Sequence, residues 1–169
     1  MKNDAVAFGK LILGYRIQLF SYLLRLCGDR MTAEDLFQET LIKVWKGFKS
    51  YNEQNKFSSW LFSIAHNVAV DSIRKESAKP TVGSFDDVQT FASDSNPHNA
   101  FVEKETNELV MAAVSTLSEK QKQVFFLRQH SGMTFKEIAK VTNQPLNTVL
   151  GHMHYAVTRI RKKLSKQYG

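Results

Sequence analysis

The chain has 169 residues and a mass of 19.3 kDa, room for one ordinary domain or two small ones. Hydrophobic residues make up 43%, charged residues 23%, and Phe alone occurs 12 times, which excludes a wholly disordered chain. Eight Gly and three Pro are too few for a β-rich or collagenous fold, and the one cysteine, Cys27, excludes an intrachain disulfide framework and fits a reducing compartment. No apolar run approaches the length of a membrane span, and the N-terminus lacks the pattern of a signal peptide, so the expectation is a cytoplasmic protein without membrane insertion.

Lys and Arg number 23 against 16 Asp and Glu, a formal charge of +7 that favours a polyanionic partner. The charge is uneven. Residues 1–75 carry 11 basic and 7 acidic groups, residues 76–108 carry 2 and 7, and residues 109–169 carry 10 and 2. Two basic blocks thus flank an acidic, Ser/Pro/Gly-containing stretch without periodicity, which reads as a flexible linker. The expected organisation is a small domain at 1–78, a linker at 79–98 and a second domain at 99–169.

In chain order, Val6–Leu26 reads as a helix, with Gly28 as its C′ residue. Thr32, with Asp35 three residues on, predicts the cap of a second helix running to about Lys49, its apolar face Phe37, Leu41, Val44, Trp45 and Phe48. Asp35, Gln38, Glu39, Ile42 and Lys46 share another face, and Glu39 and Lys43 stand at i,i+4 spacing. A polar segment at 50–56 follows. Ser58 is the expected cap of a helix over 59–75, with Leu61, Ile64, Ala65, Val68 and Ser72 inward and Trp60, Ser63, Asn67, Val70 and Arg74 opposite. Phe57 and Phe62 are expected in the core. Aromatics interleaved with amides and cations here suit unpaired bases, because every base has a stackable face.

The second domain opens with a helix at about 99–116. Ser118 with Gln121, and Thr134 with Glu137, are two capping boxes; Gly132 separates their helices. Thr142–Pro145 is a turn, and a last helix runs over 146–165. No segment alternates strictly, so the fold class is all-α. A short helix, a turn and a longer basic helix describe a helix-turn-helix. Val149, Met153, Ala156, Val157, Ile160 and Leu164 form the packing face of its last helix, and Thr148, His152, Tyr155, Arg159 and Lys162 form the far face. A plain helical hairpin with a solvated basic face is the alternative that these residues leave open. His152 and His154 do not share a helix face, and neither a metal site, a catalytic residue nor a cofactor is expected.

Two sets of residues carry a family resemblance. Ala33–Thr40, Val44-Trp45, Phe57–Ala65, Asn67 and Asp71–Arg74 resemble region 2 of bacterial RNA polymerase sigma factors; Leu117–Gln121, Val124–Arg128, Gly132–Thr134, Glu137–Ala139, Pro145 and Thr148-Val149 resemble region 4. The short chain with only these two regions resembles the extracytoplasmic-function (ECF) subgroup. The resemblance implies two helical domains that dock on core RNA polymerase, with Asp35, Gln38, Glu39 and Lys43 on the clamp of the β′ subunit and region 4 on the β flap. It implies −10 promoter contacts from Asn52, Asn55, Lys56, Trp60, Ser63, Asn67, Arg74 and Lys75. It implies −35 contacts from Thr134, Lys136, Asn147, Thr148, His152, His154, Tyr155 and Arg159. An anti-sigma factor is the further partner it implies, with no small-molecule substrate. Where the family continues Lys-Ser-Arg after Thr148-Val149, this chain has Leu150-Gly151-His152. The rival readings are a stand-alone helix-turn-helix regulator and a small helical hydrolase using Asp35, Glu39 and a histidine.

Overall fold

The computed structural model describes residues 2–52, 56–78 and 97–169, the last segment without the side chains of 97–102. Every regular element among the described residues is a helix: α1 (Lys2–Cys27), α2 (Arg30–Phe48), α3 (Phe57–Ser77), α4 (Pro97–Val114), α5 (Glu119–Ser131), α6 (Phe135–Thr142) and α7 (Leu146–Tyr168). Asn55 and the linker residues 79–96 lie outside the described residues.

Local chemistry sets most of the boundaries. Gly28, at φ 72°, ends α1 in the left-handed conformation that a glycine adopts without a Cβ clash. Asp29 then caps α2. Its carboxylate accepts from the Thr32 backbone N–H at 3.0 Å and from the Thr32 hydroxyl at 2.6 Å, so Thr32 donates to the cap it was expected to be. The carboxylate outcompetes the hydroxyl because an ionised acceptor makes the stronger bond at a helix N-terminus. Ser58 also fails as a cap. Helix α3 starts one residue before it, at Phe57, after Lys56 and without a side-chain cap, and the Ser58 hydroxyl donates to the Ser131 carbonyl at 2.9 Å. Both capping boxes of the second half are present, Ser118 with Gln121 and Thr134 with Glu137.

The buried faces are shifted from the apolar periodicity. In α2 the buried positions are Ala33, Leu36, Thr40 and Val44, while Phe37, Leu41 and Phe48 are half-buried and Trp45 is 40% exposed. Ala33 and Thr40 are small enough for close helix approach, and the Thr40 hydroxyl is satisfied by its own helix, donating to Leu36 O at 2.7 Å. In α3 two adjoining stripes are buried: Phe57, Leu61, Ala65 and Val68, then Phe62, His66 and Ala69. The second stripe exists because α3 packs on α5 as well as on α1 and α2.

Helices α1–α3 form one packed group, and α4 to α7 form another in which α7 packs on α4, α5 and α6. The groups do not stand apart: α5 packs against α1 and α3, and one hydrophobic cluster runs from Ile12, Leu19 and Phe62 through Val124 and Phe126 to Ile138 and Val149. The reason lies in α5. Val124, Phe125, Phe126 and Leu127 are all buried, and four consecutive helical residues sweep about 300° of arc. A helix buried over that arc cannot be covered by α7 alone.

Candidate nucleic-acid interface

The first surface is the open face of α2. Asp35, Gln38, Glu39 and Lys43 are all exposed, and Lys43 Nζ lies 3.1 Å from Glu39 Oε1. Such an exposed i,i+4 pair is worth a few tenths of a kcal/mol, about 0.3. It orders the face more than it stabilises the helix. Ile42, 55% exposed, gives this polar face an apolar centre suited to another protein.

The second surface is built on aromatics. The Tyr51 and Trp60 rings stack with centroids 4.5 Å apart at 24°, and Phe57 stands edge-on to Tyr51 at 5.8 Å. Phe57 is buried and anchors the group; Trp60 is half-buried. A Cβ at Gly47 would lie 3.0 Å from the indole of Trp60, so glycine there lets the indole sit against the helix backbone. Beside the stack, an open cleft of about 620 Å³ is lined by Asn52, Lys56, Trp60 and Ser63 from the predicted set, joined by Tyr51 and Ser59. Asn67, Arg74 and Lys75 are exposed farther along α3 and do not line it. Stacked rings, amide and ammonium groups in one cleft can take up a base and its phosphate. The opposite wall is Glu137, Lys140 and Val141 of α6.

The third surface is the helix-turn-helix. The turn rests on Asn143, at φ 53°, whose N–H caps α6 through Ala139 O and Lys140 O. Thr134 is spent on its capping box: its hydroxyl accepts from Glu137 N at 3.2 Å, and its N–H donates to Glu137 Oε2 at 2.8 Å. These bonds, that from the backbone foremost, hold the Glu137 carboxyl below the usual range. Lys136, Asn147, Thr148 and His154 are exposed. Arg159 donates to the Tyr155 hydroxyl from Nε at 3.0 Å and Nη2 at 2.6 Å, with its guanidinium 5.2 Å from the ring centroid. The pair presents a fixed cation on the exposed face of α7. His152 departs from expectation. It is half-buried, and its Nε2 is shielded from solvent without a hydrogen-bond partner among the described residues. His154 is exposed but sits about 100° around the helix from Tyr155.

Sequence reasoning missed Tyr51, Ser59 and Lys140 as cleft residues. Tyr51 continues the aromatic spacing of Phe48, Phe57 and Trp60, a signal that was present. Lys140 has no such signal, because only tertiary packing brings α6 to α3. His66 was missed as well. It is buried with its Nδ1 2.9 Å from the Tyr22 hydroxyl oxygen, and burial lowers its pKa to about 4.

Two family models match the chain over these surfaces. The Sigma-70 region 2 model matches residues 11–79, and the Sigma-70, region 4 model matches residues 107–164. The chain belongs to the ECF group of the sigma-70 family. Over 173 aligned positions this sigma factor is 29% identical to the ECF RNA polymerase sigma factor SigW of Bacillus subtilis, covering 96% of this chain and 91% of that one. It is 27% identical to the ECF RNA polymerase sigma-E factor of Escherichia coli K12, covering 96% and 89%. Among solved structures its fold is similar to RpoE in complex with the anti-sigma factor NepR from Bartonella quintana, at TM-score 0.69 and 21% identity over 94% of this chain and 97% of that one. It is also similar to CnrH in complex with the cytosolic domain of CnrY, at TM-score 0.63 and 18% identity over 96% and 90%. Among the described residues of this sigma factor no helix is long and apolar enough to cross a membrane.

Proposed function

We propose that the chain directs core RNA polymerase to promoters, with residues 1–78 as the −10 and polymerase-docking domain, 79–98 as the linker and 99–169 as the −35 domain. The open face of α2 (Asp35, Gln38, Glu39, Lys43) docks on the β′ clamp, and the second domain rests on the β flap. The Tyr51–Trp60 cleft receives an extruded base of the −10 element, with Asn52, Lys56 and Ser63 around it and Asn67, Arg74 and Lys75 tracking the strand; Asn55, outside the described residues, is a further −10 contact of this proposal. Extrusion costs a few kcal/mol, about 2–4, which stacking on the aromatics offsets. Asn147, Thr148, Tyr155 and Arg159 of α7 enter the −35 major groove, flanked by Lys136 and the capped Thr134. The exposed cations Arg161, Lys162, Lys163 and Lys166 supply affinity without sequence information. Bond formation belongs to the polymerase. The protein works in the cytoplasm, and an anti-sigma factor is its further partner, as NepR is in the complex with RpoE of Bartonella quintana.

The observation that carries this reading is the pair of surfaces on one chain: an aromatic–cationic cleft in region 2 and a basic helix-turn-helix in region 4. The test is transcription in vitro with purified core polymerase over a genomic promoter library. The chain is expected to produce promoter-specific transcripts, and Trp60→Ala to reduce strand opening about fivefold or more, one lost stack being worth roughly 1–3 kcal/mol. A chain that never joins core enzyme, yet binds a palindrome alone, would be a stand-alone regulator and would refute the proposal.

A further inference from the structure

The first half of α7 carries no formal charge. No Lys, Arg, Asp or Glu occurs from Val141 to Thr158, and the cations begin only at Arg159. Along this half Asn147, Leu150, Gly151, His154, Tyr155 and Thr158 recur at spacings of three and four and are all exposed, while Val149 and Ala156 are buried on the other side. Two members of the exposed stripe have no part in the fold. Leu150 is 42% exposed, an apolar side chain held out among polar neighbours. Gly151 lies roughly 160° around the helix from Val149 and about 140° from Ala156, so it faces away from the core. A Cβ placed on it would meet nothing within 4 Å, and its φ is not positive, so neither packing nor backbone conformation calls for glycine. Inside a helix glycine is the least favourable residue after proline. Its cost brings the isolated chain nothing, and it is accounted for by something outside that approaches the bare backbone closely.

An exposed leucine beside a bare backbone fits an apolar group offered at close range. On the base edges of a major groove that group is the C5-methyl of thymine. We infer that Leu150 reads a thymine methyl in the −35 element, and that Gly151 lets α7 sit deep enough in the groove for the contact to form. The inference rests on the −35 reading of α7 and deepens it. Leu150 covers the methyl and excludes water from it. Asn147 and His154, one turn to either side, bracket the contact with hydrogen-bonding groups, and the cations from Arg159 onward hold phosphates. Cytosine at that position is rejected, because its amino donor would be buried against leucine without a partner.

The experiment uses holoenzyme assembled from core polymerase and the full chain, on promoters recovered from the genomic library. Their −35 elements are expected to share at least one T·A pair. Each thymine of the element is replaced in turn by deoxyuridine, which removes the methyl and nothing else, and duplex affinity is read by fluorescence anisotropy. At one position wild-type holoenzyme is expected to bind about fourfold more weakly, the worth of one buried methyl group. L150A is expected to weaken binding to the thymine duplex by at least that factor and to bind the thymine and deoxyuridine duplexes equally. G151A is expected to bind about tenfold more weakly, because the added methyl holds the helix off the groove, while its Tm by circular dichroism is no lower than that of the wild type.

Wild-type holoenzyme that is indifferent to every thymine methyl of the element would overturn the inference, and this arm needs no variant to fold. An L150A holoenzyme that still senses the methyl would overturn it as well, as would unchanged promoter binding by G151A or a −35 element without a T·A pair. Promoter-directed transcription persists in all of these outcomes. Its complete absence would instead refute the sigma-factor reading, so the two failures are distinguishable.

Discussion

The Tyr22–His66 pair offers the sharpest test of the packing. The two residues are 44 positions apart, both are buried, and the phenol oxygen lies 2.9 Å from His66 Nδ1. Tyr22→Phe keeps the ring, including its edge contact with Phe62 at 5.5 Å, and removes one hydroxyl. The loss has two parts, a hydrogen bond worth about 1 kcal/mol net and an imidazole nitrogen left buried without its partner; together they are expected to cost about 1–3 kcal/mol. In a chain of this size each kcal/mol moves the midpoint by about 2–4 °C, so Tm should fall by roughly 2–12 °C. His66→Leu should cost a similar amount by stranding the phenol. The double variant should lose less than the sum by at least about 1 kcal/mol, because neither partner is then stranded. Urea unfolding at neutral pH, followed by circular dichroism, measures all three. A Tyr22→Phe change under about 0.3 kcal/mol with an additive cycle would refute the reasoning.

Two other outcomes follow. Burial lowers the pKa of His66 to about 4, and burial with the nearby Arg25 guanidinium lowers that of His130 to about 4, against 6.5 when unfolded. The unfolded chain therefore binds more protons between these values: neither histidine affects stability above about pH 6.5, and each removes about 2 kcal/mol by about pH 5. Urea midpoints that stay flat from pH 8 to pH 5 would contradict this, and His66→Leu should reduce the slope. On α7, Arg159→Ala in the holoenzyme is expected to weaken duplex binding and lower the slope of log affinity against log salt by about 1, the signature of one lost phosphate contact; an unchanged slope would remove Arg159 from the backbone contacts.

What the sequence determined by itself is local. The two capping boxes, the glycine that ends α1 at Gly28 and the glycine after α5 at Gly132 are interactions among residues a few positions apart, so their spacing is visible in the chain. The helix-turn-helix and the aromatic interleaving around Trp60 were legible for the same reason, and the structure places Asn52, Lys56, Trp60 and Ser63 along one cleft. Two caps were misassigned because neighbours competed for the same donors or because the hydroxyl found a distant acceptor, Asp29 in place of Thr32 and Ser131 O for Ser58. Periodicity counts apolar side chains and passes over small or hydrogen-bonded ones, so the buried Ala33, Thr40 and His66 stayed hidden. Only the tertiary structure decided that α5 is covered on several sides, that His152 turns its Nε2 inward, and that α6 closes over the region 2 cleft. These features join residues tens of positions apart, and their strength comes from burial and from water excluded between helices, which no local spacing records.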